Sequence, residues 1–155
     1  MQHILDIARD NISILSLASW LEKIFDEEFV KRSKSKILNQ RASRYILLTL
    51  SVKDCLTQNE LVRLTHLKGS TISVALEKME NEGLVTREDD QYDARQTRVY
   101  LTPKGYDMKK SIDEAIKDIE KTAFADILPK EIARASEVVS LIIKNLENNK
   151  KGTQN

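Results

Sequence analysis

The hydrophobic period of this chain changes twice between Thr57 and Pro103, and few folds accommodate both changes. Up to Asn81 the apolar residues recur at helical spacing, from Leu84 to Leu101 they follow a strand pattern, and after Pro103 helical spacing returns. Thr57 and Glu60 form a T-x-x-E capping box that opens a short helix through Leu61, Val62 and Leu64. About four residues later a second helix starts near Gly69 and runs to Gly83. Ile72, Ala75, Leu76 and Met79 form its buried face, and Gly83 is a natural residue to follow a helix end. Leu84–Arg87 reads as a short strand, Glu88–Ala94 as a polar tip, and Thr97–Leu101 as the return strand with Val99 and Leu101 on one side. Thr102 then caps a further helix with Pro103 at its first position.

Helix, short turn, helix and two-stranded hairpin make a winged helix-turn-helix over about Thr57–Leu101. The flanks are helical. Residues 4–30 carry Ile4, Ala8, Leu15, Ala18, Leu21, Phe25 and Phe29 at helical spacing, widened by Ile7, Ile14 and Trp20, which predicts one long helix with a broad buried face. Residues 37–50 predict a second helix, ending in the run Tyr45-Ile46-Leu47-Leu48. After Pro103 come Ile112, Ala115, Ile116, Ile119, Ala123 and Phe124. Pro129 opens a last helix with Ile132, Ala135, Val139, Ile142 and Leu146, before a polar tail from Lys150. The expected fold class is therefore mainly α with a small β-hairpin wing. The expected organisation is a single domain over 1–155, with the winged helix-turn-helix at 37–104 and dimerisation helices at 1–30 and 105–148. The winged part cannot cover three apolar stripes by itself, so a homodimer is expected.

Composition narrows the chemistry. The 155 residues suit one domain and include only four Gly and two Pro, too few for a fold built from many tight turns. The single cysteine, Cys55, cannot form an internal disulfide, so a reducing compartment is expected; it is either a small core residue or a thiol sensor. The longest apolar run, Ile12 to Leu21, is interrupted by Ser13, Ser16 and Ser19 and falls short of the ~20 residues of a membrane span. Asp6 and Asp10 do not suit the basic start of a signal peptide, so a cytoplasmic protein without membrane association is expected. His3, His66 and Cys55 match no zinc spacing, and Asp89, Asp90 and Asp93 lack the glycine and final glutamate of a calcium loop. Four glycines make neither a phosphate loop nor a dinucleotide fingerprint. No metal, cofactor or enzymatic activity is expected.

Net charge is +1, but it is unevenly distributed. Residues 1–30 hold two basic and six acidic groups, whereas residues 31–44 hold six basic groups (Lys31, Arg32, Lys34, Lys36, Arg41, Arg44) and no acidic one. Such a block is either an electrostatic footprint for phosphate or a face that pairs with the acidic first helix through Glu22, Asp26, Glu27 or Glu28.

In a helix-turn-helix the second helix enters the DNA major groove with its N-terminal residues at base edges. With Ile72 and Met79 at the buried centre, Ser70, Ser73, Val74 and Glu77 fall on the open half. Serine hydroxyls there can bond phosphates or bases, or can simply be helix-start residues.

The residues Gly69-Ser70-Thr71-Ile72-Ser73 and Leu76 through Arg87 (LEKMENEGLVTR), followed by Asp93-Ala94-Arg95, Val99 and Leu101-Thr102-Pro103-Lys104-Gly105, resemble the MarR family of transcriptional regulators. The spacing from D-x-R to V-x-L-T-x-x-G is the most specific part, and close matching covers about Thr57–Gly105. The resemblance implies a dimer built from the terminal helices, with two winged domains on a pseudo-palindromic duplex. It also implies a wing arginine, Arg95, in the minor groove, and a repressor released by a phenolic or other lipophilic effector. A guanidinium suits the negative potential of a narrow minor groove, although an ion pair to Asp93 or Asp90 is the other reading of Arg95.

The candidate DNA-contacting set is Lys68, Ser70, Thr71, Ser73, Lys78, Arg87, Arg95 and Arg98, with Arg41 and Arg44 as phosphate contacts. Trp20 and Tyr45 are candidates for lining an effector site, or plain core. The sequence departs from the family pattern at Val74, where arginine is common, at Lys68, where a Ser or Asp cap is expected, and in the acidic run Glu88-Asp89-Asp90. Val74 and the acidic run favour the alternative of a winged module that binds a partner protein, whereas a lysine at 68 can contact phosphate. A purely structural dimeric bundle would leave the D-x-R wing without a role.

Overall fold

The computed structural model describes residues 13–33, 35–90 and 96–152, with side chains described through Asn149. In chain order the elements are α1 (Ile14–Arg32), α2 (Arg41–Val52), β1 (Leu56–Thr57), α3 (Gln58–Thr65), α4 (Gly69–Asn81), β2 (Val85–Asp89), β3 (Thr97–Leu101), α5 (Pro103–Ala123) and α6 (Pro129–Gly152). The chain divides into two compact units, one running to Ile119 and one from Glu120.

The core of the first unit gathers Phe29 of α1, Ile46, Leu47 and Leu50 of α2, Leu61 of α3, Ile72, Leu76 and Met79 of α4, and Ile112 of α5. Val85 and Val99 close it from the sheet. Side chains of this size contribute roughly 1.5–3 kcal/mol each when fully buried, so this cluster holds the helix-turn-helix to the helices on either side.

The sheet has three antiparallel strands in the order β1-β3-β2. The hairpin register runs from Val85↔Leu101 to Asp89↔Thr97, and β1 adds Leu56↔Val99 and Thr57↔Arg98. The sequence pattern predicts the hairpin but not β1, because two residues are too few to show alternation. Thr57, the last residue of β1, is also the N-cap of α3, so the helix-turn-helix starts directly from the sheet that carries the wing.

Two flanking expectations change. Helix α2 begins at Arg41 rather than 37; Ile37 and Leu38 lie in a preceding turn, where Ser35 O accepts from Leu38 N at 3.1 Å, and both are nevertheless buried. The broad buried face expected for the first helix is, in the single chain, largely exposed. Phe29 is its only fully buried residue among those described, while Ile14, Leu15, Leu17, Trp20, Leu21 and Ile24 remain exposed. Ile4, Ile7 and Ala8 lie outside the described residues. In the second unit α6 carries a similar exposed apolar set: Val139, Leu141, Ile143 and Leu146.

Candidate nucleic-acid interface

The helix-turn-helix is fixed at its entry by the capping box. Thr57 Oγ1 accepts from Glu60 N at 3.2 Å, and Glu60 Oε2 accepts from Thr57 N at 2.9 Å. The Thr57 backbone N–H, with help from the Thr57 hydroxyl and Lys53, holds the Glu60 carboxyl below its ordinary 4.5. His66, at φ 56°, turns the chain between α3 and α4. Lys68 stands at the N-cap of α4 in extended backbone and makes no side-chain capping bond.

On α4 the division expected from the pattern holds. Ile72, Ala75, Leu76 and Met79 are buried, and Ser70, Thr71, Ser73, Val74, Glu77 and Lys78 are exposed. Lys68 is exposed beside them. Ser73 Oγ accepts from Gln58 Nε2 at 2.7 Å, which adds Gln58 of α3 to the polar face. The sequence reading missed Gln58, since a partner fifteen positions away leaves no periodic signal. A cavity of about 460 Å³ opens at the start of α4, lined by Gln40, Arg41, Ala42, Ser70, Thr71, Val74 and Ala75.

The wing is joined to the end of α4 by a tight neck. Gly83 adopts φ 69°, Leu84 N donates to Met79 O at 2.8 Å and Gly83 N to Glu80 O at 2.8 Å, the paired bonds of a Schellman helix end. From the return side, Thr102 Oγ1 donates to Gly83 O at 2.7 Å and accepts from Gly105 N at 3.0 Å, so one hydroxyl fastens the neck and caps α5. A Cβ at Gly105 would come within 2.2 Å of Leu84 O, so only glycine lets α5 start this close to the hairpin.

Two wing arginines are engaged within the chain. Arg87 donates through Nε to Glu80 Oε2 at 2.9 Å, and that carboxylate raises the guanidinium pKa. Arg98 pairs with the buried carboxylate of Asp90 and donates through Nη1 to Cys55 O at 3.2 Å. It therefore braces the hairpin against the residue before β1. Asp90 N donates to Gln96 O at 2.8 Å, at the base of the tip. Arg95 and Asp93 lie outside the described residues. Cys55 has φ 61° and its thiol donates to the Tyr100 hydroxyl at 3.3 Å.

One cation of the basic block is buried, which corrects the phosphate role expected for Arg44. Its residue is only 2% exposed. The guanidinium pairs with Asp26, donates to Leu38 O at 2.8 Å, and lies against the Phe29 ring. Burial pulls this guanidinium down from its usual range while Asp26 opposes the shift. Arg41 pairs with Glu22 at 2.6 Å and approaches Asp26 at 3.7 Å. Lys31 pairs with Glu28, and Arg32 bridges Glu28 and Asp118. The acidic first helix is thus the partner of most of the block. Tyr45 donates its hydroxyl to Glu22 Oε1 at 3.3 Å, and burial with Glu22 pushes its phenol up; Trp20 stays on the exposed face of α1.

Residues 38–96, which span α2, the helix-turn-helix and the outgoing wing strand, match the MarR family. The solved MarR-family transcriptional regulator from Silicibacter pomeroyi superposes with a TM-score of 0.72 at 26% identity, over 83% of this chain and 86% of that one. The fold is that of a winged-helix protein, and its helix-turn-helix region is similar to the MarR family. The crystal structure of MarR is similar to this chain over 92% of its length and 95% of MarR, with a TM-score of 0.80 at 21% identity. Bordetella bronchiseptica BpsR, whose DNA binding is regulated by 6-hydroxynicotinic acid, gives a TM-score of 0.73 at 18% identity, over 83% of this chain and 97% of BpsR. No curated protein matches the sequence. Among the described residues, no helix is long and apolar enough to cross a membrane, and no cluster of His, Cys, Asp or Glu could hold a metal ion.

Proposed function

We propose that this chain is a MarR-family repressor that binds a pseudo-palindromic duplex as a homodimer and is released by a small aromatic or lipophilic effector. The observation that carries the reading is the open face of α4. Ser70, Thr71 and Ser73 stand exposed on the second helix of a helix-turn-helix whose other face is locked into the core. That is the presentation major-groove recognition requires. Lys68, Lys78 and the wing residue Arg95 remain proposed DNA contacts; Arg87 joins them on release from Glu80, and Arg98 acts through the shape of the wing. Arg44 is removed from the set by its burial, and Arg41 serves α1 before it serves a phosphate.

The exposed apolar faces of α1 and α6 support the dimer, because side chains such as Leu21 and Leu141 gain by leaving water. BpsR supports the effector, and Trp20 and Tyr45 are its proposed contacts here. Selection of bound duplexes from a random pool tests the reading. The expected outcome is an enriched inverted repeat with half-sites about 10–10.5 base pairs apart, or a multiple of that. Val74, 52% exposed at the centre of the α4 face, and the exposed acids Glu88 and Asp89 favour the second reading, a module for a partner protein. Absence of any enriched duplex would select it.

A further inference from the structure

The pairing of the basic block singles out the cation it leaves over. Lys31, Arg32, Arg41 and Arg44 are all bound to carboxylates of α1 or α5. Lys34 lies outside the described residues. Lys36 is exposed and forms no ion pair among the described residues. It faces a cavity of about 230 Å³ that it lines with Ile37, Gln40, Lys78, Asn81 and Glu82. Across that cavity Lys78 of α4 donates through Nζ to Gln40 Oε1 at 3.3 Å, so Gln40 holds the second ammonium on the same flank. Gln40 also lines the cavity at the start of α4, beside Ser70 and Thr71. The two cavities share Gln40 and form a seam along α4 from its first turn to its last, with two lysines at one end. Glu82 is the acidic side chain on that seam, and neither lysine pairs with it.

We infer that Lys36 and Lys78, with Gln40 positioning the latter, clamp the sugar-phosphate backbone of duplex DNA on the flank of α4. This takes over the role the sequence assigned to Arg41 and Arg44. The inference rests on the DNA-binding reading above and deepens it. Lysine ammoniums are strongly hydrated point charges on flexible stems, suited to phosphate and poor at reading bases. The clamp should therefore supply affinity without sequence preference.

Salt-dependent binding to one selected duplex and one mixed-sequence duplex tests this. K36A and K78A should each weaken binding to both duplexes by the same factor and reduce the slope of log K against log salt by about 0.9 per copy, or about 1.8 for the bound dimer. Both side chains are exposed, so the thermal midpoints should match that of the unsubstituted protein. E82Q, which removes the acid from the seam, should tighten binding to both duplexes, a gain that misfolding cannot imitate. An unchanged slope in the lysine variants, a loss confined to one duplex, or no gain in E82Q overturns the clamp and leaves the DNA-binding reading in place. If the unsubstituted protein binds neither duplex at low salt, both fall.

Discussion

The guanidinium carbon of Arg44 lies 4.4 Å from the centroid of the Phe29 ring. Three elements meet there: the ring belongs to α1, the cation to α2, and Leu38 O, which accepts from the same guanidinium, to the turn between them. An arginine from a block that looks like a phosphate footprint is in fact the bolt between two helices.

Arg44→Ala should therefore cost stability rather than DNA affinity. It removes a charged hydrogen bond to a buried carbonyl, a cation–π contact and the Asp26 pair, together worth about 2–3 kcal/mol. Arg41→Ala breaks a pair whose side chains are 43% and 47% exposed, and should cost only about 0.2–1 kcal/mol. Urea unfolding at fixed protein concentration measures both, and equal losses would contradict the burial difference.

Gly105→Ala should be severely destabilising. Its Cβ would sit 2.2 Å from a backbone oxygen of Leu84 and 3.0 Å from Leu101 Cδ2, and the backbone cannot step aside without opening the neck. A loss of roughly 3 kcal/mol or more is expected. Gly69→Ala is the matched control, since its nearest atom, Val62 Cγ2, is 3.9 Å away; it should be neutral or stabilise by up to about 1 kcal/mol. Thermal melts of the pair give the contrast directly.

The capping box should make stability depend on acid pH. Glu60 has a folded-state pKa below its unfolded value of 4.5, so its contribution is complete above that value and is lost as pH falls through the lower, folded value. Glu80, lowered by its hydrogen bond to Arg87, acts in the same direction. Glu60→Gln keeps an acceptor for the Thr57 N–H but cannot titrate. Its midpoint should fall less steeply than that of the unsubstituted protein as pH drops from about 5 to 3. Parallel curves would assign the acid sensitivity elsewhere.

Arg98 is expected to act on DNA through the shape of the wing. Arg98→Ala removes the brace to Cys55 O and Asp90→Asn removes the charge that holds Arg98 in it, so both should weaken duplex binding to a similar extent. Combining them should add little, as expected for two partners in one interaction. A loss in Arg98→Ala with full binding in Asp90→Asn would instead mark Arg98 as a direct contact.

What could be read from sequence was local. Thr57 and Glu60 announced their capping box, Gly83 its left-handed helix end, and Thr102-Pro103 the start of α5, because each signal spans only a few residues. The buried and open faces of α4 followed from 3.6-residue periodicity alone. What could not be read was pairing across the chain. Arg44 meets Asp26 eighteen positions back, and Arg32 meets Asp118 eighty-six positions ahead. Within the block itself, those cations look the same as Lys36. The family motif contained Gly105, but the carbonyl of Leu84 that requires it became visible only in three dimensions.

The neck that Thr102 closes has a consequence for how such a chain can diverge. Thr102 N donates to Leu84 O at 3.1 Å, and the Thr102 hydroxyl bonds Gly83 O, so the two ends of the hairpin are sewn together where they leave the helices. Residues can be gained or lost beyond that seam without moving α4 relative to the first turn of α5. Wing length and wing charge can then drift under selection for a target while the helical scaffold stays unaltered. In this chain, the exposed acids Glu88 and Asp89 occupy the segment where that freedom lies.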